Sequence, residues 1–141
     1  MAVANKFNAY AEHVSEKVHN LQSDTLKVML TNVAPIATNS LRGDLTEISA
    51  GNGYTAGGSQ AVQAASEQTA GVYKLTLADV NFTATGGSIG PFRYAVLYND
   101  TPTSPADPLI LFWDYGTSLT LTAGNSFTVD FDATAGVLTL Q

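Results

Sequence analysis

The chain has 141 residues, with 12 acidic and 6 basic side chains, a formal net charge of −6 and no cysteine. That length is about one domain. The missing cysteines exclude thiol catalysis and cysteine-ligated zinc or iron–sulfur centres, and six scattered basic residues do not form the basic stripe of a nucleic-acid binder.

The N-terminal segment reads as an amphipathic helix from Lys6 to Leu21. Phe7, Tyr10, Ala11, Val14, Val18 and Leu21 recur at spacings of three and four and form one apolar stripe. The plain expectation is that this stripe docks on the chain's own sheet. The sharper one is that the segment is an arm reaching a neighbouring subunit through Phe7, Tyr10 and Val14. Residues 1–22 are therefore set apart as a helix or arm, and residues 23–141 as one β-sandwich unit.

Thr25–Thr31 alternates Leu26, Val28 and Leu30 with Lys27 and Met29, which predicts the first strand. Pro35 interrupts regular pairing. Asp44-Leu45-Thr46-Glu47-Ile48 has the spacing of a capped helical turn, with Asp44 as N-cap. Gly51–Gly58 is a glycine-rich loop, and a short strand over Ala61–Ala65 is weakly specified. Gly71–Leu77 and Asp79–Thr85 read as strands.

Phe92, Tyr94, Val96 and Tyr98 occupy every second position of Ile89–Asp100, with Arg93, Ala95 and Leu97 between them. The period-2 rule places the first four on one face. The other face is also largely apolar, so this is a central strand covered on both sides. Thr101–Pro108 is a proline-rich loop. Leu109–Tyr115 is an apolar strand turned by Gly116-Thr117, and Leu119–Leu121 is a further short strand. Ser126–Asp132 alternates Phe127, Val129 and Phe131 with polar residues, and Val137–Leu140 closes the chain. Seven or eight short strands follow one helix, which predicts an all-β antiparallel sandwich or barrel.

Charged residues are 13% of the chain, against about 25% in a typical soluble domain. So lightly charged a surface costs little to desolvate against a partner. No apolar run reaches the ~20 residues of a membrane span, and no basic-then-apolar leader pattern begins the chain.

The possible chemical motifs are each better explained as structure. Gly86-Gly87-Ser88-Ile89-Gly90 matches G-x-S-x-G, but a period-2 strand follows where a nucleophile elbow needs a helix, and both histidines precede the serine. On a continuous helix His13 and His19 would point to different sides, so they read as surface residues and not a ligand pair. Asp114, Asp130 and Asp132 lack the spacing of a calcium loop. Asp130 and Asp132 share one strand face and do not oppose each other as glycosidase acids do. Gly51-x-Gly53-x-x-x-Gly57 departs from the dinucleotide fingerprint. Arg42-Gly43-Asp44 matches the integrin-read tripeptide without supporting context. The expectation is a non-enzyme with no catalytic, cofactor-binding or metal-binding residues.

Ser23–Val28, Asp44–Ile48 with Gly51–Tyr54, Ile89–Asp100 and Phe112–Gly116 together resemble small structural proteins of tailed bacteriophages. They are most similar to the jelly-roll cementing (decoration) proteins that coat an icosahedral head. The resemblance covers roughly residues 6–140. It implies a jelly roll, a homodimer in preference to a trimer, and a seat on the symmetry axes of the shell. The partner it implies is the major capsid protein, held against internal DNA pressure, with no nucleic acid or membrane bound. It places the protein on the outer surface of the virion after synthesis in the host bacterial cytoplasm. The alternative is a tail-fibre or receptor-binding module that reads a host glycan through Gly51–Gly58 and Thr101–Pro108, with an exposed Tyr54 stacked on sugar.

Overall fold

A computed structural model describes Ala2–Gln141. Among these residues are ten strands and one short α-helix: β1 (Ala4–Lys6), α1 (Ala9–Ser15), β2 (Leu26–Thr31), β3 (Ser59–Gln60), β4 (Gln63–Thr69), β5 (Val72–Leu77), β6 (Val80–Thr83), β7 (Ile89–Asn99), β8 (Leu109–Leu121), β9 (Ser126–Val129) and β10 (Leu138–Leu140). All pairings are antiparallel. The main sheet runs β1-β8-β7-β2-β3, a second runs β10-β5-β4, and β6 pairs with β9. The class is all-β, as the strand spacing predicts.

β7 is central, paired to β8 on one side and β2 on the other, and both its faces are covered. Leu26, Val28, Leu30, Ala95, Leu97 and Leu111 face a large core shared with Leu75, Leu77, Val80 and Phe82 of the smaller sheets and with Phe131 just beyond β9. Met29, Val96, Tyr98 and Leu109 face a second cluster closed by Phe7, Leu45 and Phe112. The alternation along β2 and β7 is the pleat made visible in burial.

That alternation fails at one point. Phe92 was expected to share a face with Val96 and Tyr98, but it packs in the large core with Ala95 and Leu97. The β7–β8 register shifts on both sides of Phe92. Pro91 has no N–H to donate, so the ladder bulges there, and the second shift, between Phe92 and Tyr94, takes Phe92 out of phase with Val96 and Tyr98. Gly90 is required at this bulge: its φ is +111°, and a Cβ would lie 2.8 Å from the Leu119 carbonyl oxygen.

Other boundaries also move. Gly116 does not end β8. With φ of +100° it sits inside a continuous strand that runs on to Leu121. β4 extends to Thr69, because its polar sequence suits an edge strand that is mostly solvent-facing. The turn near Asp44 is a 3-10 turn over Arg42–Asp44, not a helix starting at Asp44. The Asp44 carboxylate accepts the Ser40 and Leu41 amides at 2.9 and 3.0 Å, so it closes the turn from its far end.

The N-terminal helix is the largest correction. Ala4–Lys6 is a strand paired to Leu111–Trp113, and α1 ends at Ser15. Lys17 adopts φ of +66°, and the Val18 amide bonds back to the His13 carbonyl at 2.9 Å, the closing bond of a Schellman stop. The apolar spacing continues past Ser15, so periodicity alone overruns the helix.

Candidate functional site

A groove of about 350 Å³ opens between the main sheet and the segment Phe127–Asp132. Leu30, Phe92, Ala95 and Trp113 come from the sheet, and Phe127, Val129 and Phe131 come from the opposing segment. The register shift between Phe92 and Tyr94 is what turns Phe92 into this space. Phe92 meets Phe127 edge to face at 5.0 Å, Tyr115 meets Phe127 at 5.5 Å, and Trp113 meets Phe131 at 5.6 Å. Such T-shaped pairs lock ring orientation, each contributing about 0.5–1.5 kcal/mol beyond area burial.

At the mouth, the Asp114 carboxylate takes Arg93 Nε at 2.7 Å and Nη2 at 2.9 Å, and the Gly116 amide at 2.8 Å. The guanidinium, and then the amide, hold Asp114 below the usual carboxylate range. Arg93 also lies 5.4 Å from the Tyr94 ring centre. Both charges are more than a third exposed, so the pair sets geometry more than stability.

Away from the groove, Glu47 anchors a polar network. Its carboxylate accepts the Tyr54 hydroxyl at 2.7 Å, the Gly57 amide at 2.6 Å and Arg42 Nη2 at 3.0 Å. Arg42 also pairs with Asp107 at 3.3 Å and lies over the Tyr98 ring at 5.5 Å. Burial raises the Tyr54 and Tyr98 hydroxyls well above the ordinary phenol range. The Arg42-Gly43-Asp44 triplet therefore has both its charges engaged inside the chain.

The two histidines converge. The turn at Lys17 brings the His19 ring within 5.9 Å of His13 and 5.4 Å of Tyr10. His19 is 8% exposed, so it is not the surface residue that a continuous helix implies. Asn99 Nδ2 donates to His19 Nδ1 at 3.1 Å and to Asp24 at 2.6 Å, while Asn99 Oδ1 accepts the Thr101 amide. That fixes the amide orientation and leaves the proton of neutral His19 on Nε2. Burial, and next His13, push His19 down to about 4, against an opposing pull from Asp24.

No family model matches this chain, and no curated protein or solved structure matches it.

The residues singled out in sequence fall as follows. Phe7 is fully buried beside Phe112 at 5.0 Å, and Tyr10 is 7% exposed. Val14 packs on the large core. In the single chain the stripe is thus spent on the protein's own interior, with Phe7 on one side of the sheet and Tyr10 and Val14 on the other. Tyr54, expected to be exposed and to stack on sugar, is 2% exposed, and its hydroxyl accepts the Leu30 amide at 3.0 Å. Ser88 precedes β7, and its carbonyl accepts from Asn52. Asp132 does not share a strand face with Asp130: it caps the turn beyond β9 by accepting the Thr134 and Ala135 amides, both at 2.8 Å. Asp114 is paired with Arg93, and Asp130 lines the groove. The groove itself was missed, because its walls come from separate strands and loops that only tertiary packing brings together.

Proposed function

We propose that this chain is a virion structural protein that decorates the outer surface of an icosahedral phage head, as a homo-oligomer bridging major capsid subunits. The observation that carries this reading is the loop Asn32–Leu41, which contains no charged residue. It presents Val33 at 56% and Ile36 at 58% exposure. The loop is held in shape: Pro35 is buried, the Asn8 amide donates to the Ala37 carbonyl at 2.9 Å, and Asn39 Oδ1 accepts the Ile36 amide at 2.8 Å. A preformed apolar loop loses little conformational entropy on docking. Repetition over a closed shell multiplies a modest contact into strong overall attachment. A net charge of −6 disfavours adhesion to nucleic acid and anionic surfaces.

The contact surface in this proposal is the Val33–Ile36 loop, since Phe7 and Tyr10 are enclosed. The experiment is sedimentation of the purified chain with expanded heads built from the major capsid protein of the phage it would decorate. Wild type should co-sediment at a fixed stoichiometry. The double variant Val33→Asp, Ile36→Asp, which alters only exposed side chains, should stay in the supernatant with an unchanged unfolding midpoint. Failure of wild type to bind any expanded head would sink the proposal.

A further inference from the structure

The aromatic groove combines carbon walls with unpaired polar groups at its mouth. Trp113 is half-buried and Tyr115 is 53% exposed. Among the described residues the Tyr94 and Tyr115 hydroxyls and the Asp130 carboxylate have no hydrogen-bond partner, and all three residues border the opening. The Arg93 charge is neutralised by Asp114, so the free charge at the mouth is acidic. Ala2 and Ala4 border the groove with nothing larger than methyl groups.

We infer that this groove binds a neutral saccharide through one or two of its rings. A sugar ring has an apolar C–H face and a rim of hydroxyls. The face matches an indole or phenol surface, and the rim matches carboxylate and phenol acceptors. A volume of about 350 Å³ is at the small end of ligand cavities, which run roughly 300–1,000 Å³. Anionic ligands are disfavoured by Asp130. A second copy of this chain would bring a charge of −6 towards the same acidic mouth. A peptide adding as a strand finds no open edge beside Trp113, because β1 already pairs with Leu111–Trp113 of β8 there. The groove shares no residue with the Asn32–Leu41 loop, so this inference stands apart from shell attachment.

Trp113 is the only tryptophan in the chain and lines the groove, which makes its emission a local reporter. The test titrates the purified full chain with maltose, cellobiose, lactose and N,N′-diacetylchitobiose up to about 50 mM, since single-site sugar contacts fall in the millimolar range where binding is only about 4 kcal/mol. Isothermal titration runs alongside. The expected result is a saturable Trp113 shift with at least one of the four. Tyr115→Ala and Asp130→Asn should each weaken it about tenfold, the effect of losing one charge-assisted hydrogen bond or its equivalent in stacking, with the unfolding midpoint unchanged. No response from any of the four overturns the inference. So does heat without a Trp113 shift, a response undiminished in both variants, or a shift that tracks protein concentration alone, which would make the groove a self-association surface.

Discussion

The Tyr54 hydroxyl donates to Glu47 at 2.7 Å while accepting the Leu30 amide at 3.0 Å. One phenol thus ties the glycine-rich loop to a central strand and to the network that holds Arg42. Removing the carboxylate strands the Tyr54 hydroxyl, the Gly57 amide and one Arg42 contact together. A buried polar group left unpaired costs about 1–3 kcal/mol. Glu47→Ala should therefore destabilise the chain by about 3 kcal/mol, with a smaller loss for Glu47→Gln. Urea unfolding checks this: the midpoint should fall with the slope unchanged.

Gly58 tests how closely two backbones approach. Its φ is +79°, and a Cβ would fall 1.8 Å from the Val28 carbonyl oxygen. Gly71 has a similar φ of +83° with nothing within 4 Å. Gly71→Ala should cost about 1 kcal/mol, the conformational penalty alone. Gly58→Ala adds a backbone clash and should cost more than about 3 kcal/mol or abolish folding. Equal thermal midpoints for the two variants would contradict this account of Gly58.

Phe7 distinguishes core from contact surface. Being fully buried, it should lose about 3–5 kcal/mol on substitution by Ala, measured on the free chain with no partner present. A Phe7→Ala protein that unfolds like wild type yet fails on heads would instead restore the terminal segment as an arm.

The buried histidine gives stability a pH dependence of definite sign. In the unfolded chain a histidine titrates near 6.5, whereas folded His19 is held at about 4. Between these values the unfolded state binds the extra proton. Stability is therefore complete above about pH 6.5 and declines as pH falls towards 4. At about 1.4 kcal/mol per pH unit, the loss is about 1–3 kcal/mol. Denaturation midpoints measured from pH 7 to 4 should slope less steeply in His19→Gln than in wild type, since the carboxylates common to both cancel in the difference.

The sequence by itself determined the all-β class and the strands β2, β5, β6 and β7, because side-chain alternation with period two is a local property of the backbone. It also revealed that β7 is covered on both faces, since neither face is polar. Tertiary structure alone decided where Phe7, Tyr54 and the histidines lie. The αL turn at Lys17 uses a residue that carries no stop signal, so an apparently continuous helix reverses and brings His13 beside His19. The β7–β8 register shift between Phe92 and Tyr94 takes Phe92 out of phase with Val96 and Tyr98 and into the groove. There it meets Phe127, 35 residues further along the chain, in an arrangement that no local spacing encodes, because it depends on how the separate sheets pack against one another.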